Sequence, residues 1–265
     1  MRLKILFLGI ILFVGIVNIG AVNYTPENIA ISLKVPGNDA KRYPLALQKM
    51  QDGVYSCRAS EKLPLNIIRQ VVGKDGKQRI TVTLKALENV YFNYGEQIKT
   101  GYKHSDCQFY MPGFWYRRNL RSPKEAPSFH TSDSWLVRED RLSTPLTAAF
   151  NPASGTSMSV IRIDKFDKET LTTHKEGEVI LSGETSIGYT GFCNVDGVTV
   201  LAYGFPYKEA PKTYIRKLTL APAVEAFQLL HKGDSISMTW EVSERNAADF
   251  SECVQRTWEY CYDTN

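Results

Sequence analysis

The chain has 265 residues, 43% of them hydrophobic and 23% charged, the balance of a folded globular protein rather than a disordered one. Its formal net charge is +4, from 32 Lys and Arg against 28 Asp and Glu. A charge this close to neutral argues against a nucleic-acid binder, which would need a basic stripe.

The first element is a leader. Arg2 and Lys4 give a positive start, residues 5–17 form an apolar run, and Asn18-Ile19-Gly20-Ala21 closes it with small and polar residues. That order predicts a secretory signal peptide over residues 1–21, cleaved between Ala21 and Val22. The alternative is an uncleaved membrane anchor, since the stretch is just long enough to span. No cysteine follows the run, so no lipid-attachment site is expected. Export to the periplasm, the cell surface or the medium is therefore the expected localisation, with membrane contact only through an uncleaved leader.

From residue 22 the chain reads as mixed until a Pro-Gly turn at Pro36-Gly37, and residues 44–50 read as a short helix. Strands follow. Residues 65–72 and 79–84 are β-rich runs on either side of Asp75-Gly76, a strong hairpin signal. Residues 114–120, 134–138, 147–150, 158–163 and 178–181 continue the strand reading. Residues 191–195 and 198–203 flank a second hairpin signal, Asp196-Gly197. Residues 214–220 and 235–242 alternate apolar with polar, while 223–230 read as a short helix. Ser122-Pro123-Lys124-Glu125-Ala126-Pro127 is a loop of breakers. Many short strands between turn signals predict a mainly β protein, an antiparallel β-sandwich over residues 22–244.

Residues 245–265 differ. Asn246 is the expected N-cap, and Phe250, Cys253, Val254, Thr257, Trp258 and Cys261 recur at helical spacing on one face. This amphipathic helix is expected either to dock on the sheet or to open a further helical domain. The five cysteines, Cys57, Cys107, Cys193, Cys253 and Cys261, are odd in number and widely spaced. Cys253 and Cys261 lie roughly 12 Å apart along one helix, too far to bond. Buried free thiols are expected, with one bridge among Cys57, Cys107 and Cys193 as the alternative.

Catalytic signatures are absent. There is no dinucleotide or phosphate-loop fingerprint, and Gly155-Thr156-Ser157-Met158-Ser159 lacks the second glycine of a nucleophile elbow. His104, His130, His174 and His231 stand apart, so neither a metal site nor a cofactor is expected. Asp133, Glu139 and Asp140 are carboxylates without an evident catalytic pairing. The densest region is 109–141. In a strand over 114–117, Phe114 and Tyr116 face one way, and Trp115 and Arg117 the other. An aromatic beside a guanidinium suits a sugar, an acidic one above all: the ring stacks on C–H faces and the planar fork takes a carboxylate bidentately. Trp115, Arg117, Trp135 and Arg138 are thus the candidate carbohydrate-binding residues. The competing reading packs the tryptophans in the core and pairs Arg138 or Arg141 with Glu139 or Asp140.

The stretch Gly113-Phe114-Trp115-Tyr116-Arg117-Arg118-Asn119-Leu120-Arg121-Ser122-Pro123 and the run Ser134-Trp135-Leu136-Val137-Arg138-Glu139-Asp140-Arg141-Leu142 resemble the N-terminal β-sandwich of exported two-domain Bacteroidetes proteins. In those proteins the sandwich, of the supersandwich kind, precedes an α/α toroid of the six-hairpin glycosidase kind. Asp249-Phe250 through Trp258-Glu259-Tyr260-Cys261-Tyr262-Asp263 resembles the first toroid helix. The resemblance implies a module of a polysaccharide-processing, glycoside hydrolase-like protein that supports or lines a glycan site. It also implies a helical partner domain after the chain, and catalytic carboxylates that lie mainly there, so no catalytic residue is assigned in this chain. The alternatives are a stand-alone carbohydrate-binding or adhesion module, and a complete β-sandwich lyase or epimerase using Tyr, His and Arg in a cleft.

Overall fold

The computed structural model describes residues 26–74, 76–121, 127–164, 180–182, 185–210, 213–215, 219–221 and 224–264. The expected leader and its Ala21–Val22 cleavage site lie outside the described residues, as do Asp75 and most of the breaker loop. In chain order the strands begin β1 (Pro26–Lys34), β2 (Lys41–Pro44), β3 (Gln48–Gln51), β4 (Val54–Cys57), β5 (Leu65–Lys74), β6 (Lys77–Ala86) and β7 (Val90–Lys103). They continue with β8 (Gln108–Met111), β9 (Trp115–Arg117), β10 (Trp135–Arg138), β11 (Leu146–Asn151), β12 (Thr156–Arg162), β13 (Ile180–Ser182), β14 (Tyr189–Val195) and β15 (Val198–Phe205). The last are β16 (Lys208–Glu209), β17 (Thr213–Ile215), β18 (Thr219–Ala221), β19 (Val224–Leu230) and β20 (Ser235–Asn246), followed by one helix, α1 (Phe250–Thr264).

Two nine-stranded sheets form the sandwich. The first runs β10-β14-β15-β7-β1-β2, with β19 also on β7 and with β13 and β16 on β19. The second runs β3-β4-β5-β6-β20-β12-β11-β8-β9. The pairings are antiparallel except that of β13 with β19. Strand alternation sorts the side chains. Phe92, Tyr94 and Ile98 of β7, Leu201 and Tyr203 of β15 and Phe192 of β14 meet Ile80, Val82, Met238, Trp240 and Val160 of the second sheet in one core.

That core holds a buried ion pair. Arg69 of β5 and Glu96 of β7 are both buried, and the Arg69 Nε–H donates to the carboxylate at 3.2 Å. The Tyr94 hydroxyl donates to Glu96 Oε2 at 2.9 Å, and the Tyr94 ring stacks on Trp240. The bond joins the two sheets across the apolar interior. On the outer side of the first sheet, the Tyr189 ring lies on Gly204 and Gly95, where any Cβ would collide with it.

The expected hairpins over 65–84 and 191–203 are present. β5 and β6 pair out to Lys74 opposite Lys77, and Gly76 has φ +73°. β14 and β15 pair to Val195 opposite Val198, with both Asp196 and Gly197 at positive φ, as a type I′ turn requires.

Four expectations are corrected. Residues 44–50 are not a helix. Tyr43, Leu45 and Leu47 pack on the core at every second position, which is strand periodicity. Of the short helix expected over 223–230, the described residues 224–230 are strand β19, because pairing with β7 at Phe92 and burial of Phe227 outweigh the helix formers Ala, Glu, Gln and Leu. The expected strand 114–120 stops after Arg117, where φ is +56°. The helix cap is Asp249, whose Oδ1 accepts the Glu252 N–H at 2.9 Å, while Asn246 ends β20.

The helix covers the outer face of β8, β11 and β12. Phe250, Cys253, Tyr260 and Cys261 pack on Tyr110, Leu146, Ala148, Phe150 and Ile161. All five cysteines are free.

The Arg69–Glu96 pair generates a stability prediction. Glu96→Gln leaves a guanidinium buried without its countercharge and should cost about 3–5 kcal/mol in urea unfolding. The double replacement Arg69→Met with Glu96→Leu should recover most of that loss. Equal loss in the single and double variants would mean that the residues act by shape alone.

Candidate functional site

The sequence-predicted residues part company in three dimensions. Trp115 is 0% exposed and Trp135 1%. Their rings lie 5.6 Å apart, in one aromatic nest with Phe129 and Phe192. Neither presents a face to a sugar, which corrects the expectation that they form a binding surface. Their indole N–H groups are satisfied internally, Trp115 by the Arg117 carbonyl at 2.9 Å and Trp135 by the Ser132 carbonyl at 2.8 Å. Arg138 is also buried. It forms an ion pair with Asp140 at 2.6 Å and lies 4.2 Å from the Tyr207 ring centre. Its neighbours complete a network: Arg141 pairs with Glu209, and Arg162 with Glu139 at 2.7 Å and Asp164 at 3.3 Å. These charges close on one another and serve the fold.

Arg117 is different. Alternation would send it inward beside Trp115, but its positive φ turns the chain and leaves it exposed. Its guanidinium lies 5.5 Å from the Phe250 ring centre, on the helix side of the sheet. Asn119, at φ +51°, locks the turn. Its Oδ1 accepts the Tyr116 N–H at 3.0 Å, and its Nδ2 donates to the carbonyls of Phe114 and Pro127 at 3.3 and 3.2 Å. A left-handed non-glycine residue costs on the order of 1–2 kcal/mol. Two within three residues persist because these hydrogen bonds fix them.

This turn and the start of α1 enclose a groove of about 950 Å³. Gln108 lines it with Tyr116, Arg117, Arg118, Arg121 and Phe250, and Leu120, Ser251 and Val254 contribute as well. That volume lies in the range of ligand sites, roughly 300–1,000 Å³. Gln108 Oε1 is buried without a hydrogen-bond partner among the described residues.

Beyond the groove, α1 carries a feature that the sequence placed wrongly. Trp258, expected on the buried stripe, is 62% exposed, and Tyr262 is 77% exposed. Their rings stack at 6.2 Å with 17° between the planes. Val254, Trp258 and Tyr262 follow at four-residue steps, one row along the helix that leads out from the groove. The signal that could have found this row was available: at 100° per residue, Trp258 stands at the flank of the arc from Phe250 to Cys261.

A second hollow lies on the outer face of the first sheet, beside Tyr189, Arg42, Gln97 and the Lys208–Glu225 ion pair. At about 100 Å³ it is too small for a sugar ring. No histidine lines it, and His104 lies in the core. His130 stands nearer the larger groove, its Nε2 3.2 Å from the carbonyl of the lining residue Leu120. Among the described residues no three His, Cys, Asp or Glu side chains group as metal ligands.

His104 sits in the aromatic nest instead, stacked on Phe129 and tilted against Phe109. Its Nε2–H donates to the Asp133 carbonyl at 2.8 Å, which leaves Nδ1 as acceptor beside the Thr199 hydroxyl at 3.0 Å. Burial lowers its pKa, since the imidazolium would lose its water. The Asp133 carboxyl is lowered too, chiefly by the Asn194 amide at 2.8 Å.

No protein-family model matches the chain, and no curated protein matches it in sequence. Solved structures show some likeness. A protein from Synechocystis sp. PCC 6803 has 10% identity and a TM-score of 0.43, over 81% of this chain and 73% of its own. A galactose mutarotase related enzyme from Lactobacillus acidophilus has 9% identity and a TM-score of 0.42, over 82% of this chain and 79% of its own. A polysaccharide lyase has 11% identity and a TM-score of 0.37, over 84% of this chain but only 26% of its own length. At these values the likenesses assign no residue a role here.

The His104 geometry predicts a pH dependence. A histidine whose folded pKa is depressed binds fewer protons when folded than unfolded, so stability falls as pH drops below about 6.5. The urea midpoint should decline from pH 7.5 to 5.5, and His104→Gln should flatten the decline while lowering the midpoint at pH 7.5. A variant that keeps the full slope would contradict a buried neutral His104.

Proposed function

We propose that this chain is an exported β-sandwich module of a polysaccharide-processing protein, and that it holds glycan along the face of α1. The observation that carries the reading is the Trp258–Tyr262 ring pair, exposed and stacked at 6.2 Å, on the helix that walls the groove. Large aromatic rings left in water are costly unless a partner covers them. A pyranose has flat C–H faces that match such rings, and its hydroxyls match the polar groups of the groove.

Among the described residues the polar lining of the groove consists of Gln108, Tyr116, Asn119, Ser251 and the arginines, groups that donate to and accept from sugar hydroxyls. Export and the polysaccharide setting rest on the order of residues 1–21 and on the sequence resemblance. In this reading the ring pair takes the role of aromatic platform in place of Trp115 and Trp135, and Arg117 lines the groove beside it.

A glycan array with the purified chain, followed by titration of the best binder, tests the reading. Trp258→Ala should weaken binding by about tenfold or more, the effect of losing some 1.4 kcal/mol of ring contact. It should leave the melting temperature nearly unchanged, because the ring is exposed. Undiminished glycan binding by Trp258→Ala, or release of new reducing ends by the wild-type chain, would overturn the reading.

A further inference from the structure

We infer that the groove selects an anionic glycan, a uronic-acid oligosaccharide, with Arg117 and Arg121 taking its carboxylates while Trp258 and Tyr262 hold a neighbouring ring. This inference rests on the glycan reading above and names the substrate class of the same face.

Charge comes first. Arg117, Arg118 and Arg121 all line the groove, and no Asp or Glu among the described residues does. Three guanidinium groups in one concavity focus a positive potential into it. The three are not equivalent. Arg118 is engaged: its Nε–H donates to the Cys107 carbonyl at 3.2 Å, and it stands 5.4 Å from the Phe129 ring centre. Arg117 and Arg121 are exposed, and neither forms an ion pair with any described residue. Some arginines elsewhere pair with carboxylates, as Arg79 does with Glu241 and Arg256 with Glu252, while Arg245 instead donates to the Arg256 carbonyl. Arg117 and Arg121 thus place two guanidiniums beside one groove with no described carboxylate to offset them.

The backbone points the same way. Arg117 is held out on a left-handed turn that Asn119 clamps and the Trp115 indole fastens by its carbonyl. Extended backbone would bury it beside Trp115. Strain maintained by so many contacts has the character of a site. The Arg117 guanidinium, 5.5 Å from the Phe250 ring centre, carries its N–H donors in one planar fork, the geometry that binds a carboxylate bidentately.

The surroundings select a sugar carboxylate over a bare phosphate or sulfate. Phe250, Val254 and Leu120 give the groove apolar walls, and the ring pair extends them. These match C–H faces, which an inorganic anion lacks.

The test uses the full chain in titration calorimetry with tetramers of galacturonate and of mannuronate. The comparison ligands are the same tetramers with their carboxyls reduced to alcohols, and polyphosphate as a generic polyanion. At least one uronate tetramer should bind about tenfold or more tighter than its reduced form, the effect of one charge-assisted contact. Its affinity should fall as salt rises. Arg121→Gln should lose most of that discrimination. Arg117→Lys, which keeps the charge but not the fork, should lose part of it while the melting temperature stays near wild type. Equal affinity for uronate and reduced tetramers would overturn the inference and leave the glycan reading standing. Polyphosphate binding as tight as uronate would also overturn it. Failure to bind any of the glycans would remove both.

Discussion

The candidate site exists because one helix is laid against one sheet. The outer face of β8, β11 and β12 is apolar where a solvent-facing strand would be polar: Tyr110, Leu146, Ala148, Phe150 and Ile161 all point away from the sandwich core. They need a cover, and Phe250, Cys253, Tyr260 and Cys261 supply it. Each large side chain buried this way contributes roughly 1.5–3 kcal/mol, which is why the helix forms there rather than from its own propensity. Polar contacts set its angle. The Tyr260 hydroxyl donates to Glu241 of β20, Lys77 and Arg245 lie 4.3 and 4.1 Å from the Tyr260 ring centre, and Arg256 donates to the Asn246 carbonyl at 3.1 Å. With that face seated, the row Val254, Trp258, Tyr262 is turned outward.

The same few residues serve the core and the surface in alternation. Trp115 is packed against Trp135 and Phe192, yet its indole N–H fixes the carbonyl of Arg117, the next residue but one. Tyr116, directly opposite Tyr110 on β8, faces the helix side, and its ring lies 5.2 Å from that of Tyr110. The arginine turn is thus an extension of the rigid aromatic nest. Groups that position a ligand are best carried on such a support, since their geometry is set before binding.

Sequence pattern and structure agree where alternation was undisturbed and part where chemistry interrupts it. Residues 65–84 and 191–203 read as hairpins because β-rich runs flank Asp-Gly turns, and so they fold. The longest strand, β7, escaped the sequence reading because Glu96 occupies an inward position and Asn93, Gly95 and Gln97 dilute its apolar signal. Only the three-dimensional partner Arg69 makes Glu96 an interior residue. The site was half legible. An aromatic beside an arginine singled out Arg117, which lines the groove, but periodicity could not show that φ reverses there and separates it from Trp115. Trp258 was recognised as important, yet counted with the buried stripe, because a helical wheel places it at the flank and only the docked sheet shows which side is covered.

The account turns on α1 being docked on its own sandwich, since groove, arginine turn and ring pair are held together only in that arrangement. Amide hydrogen exchange across residues 250–264 of the monomeric chain measures it directly. Protection of Cys253 through Cys261 comparable to that of β11 and β12 is the result the account predicts. Exchange at the rate of a frayed helix, with β11 and β12 protected, would contradict it.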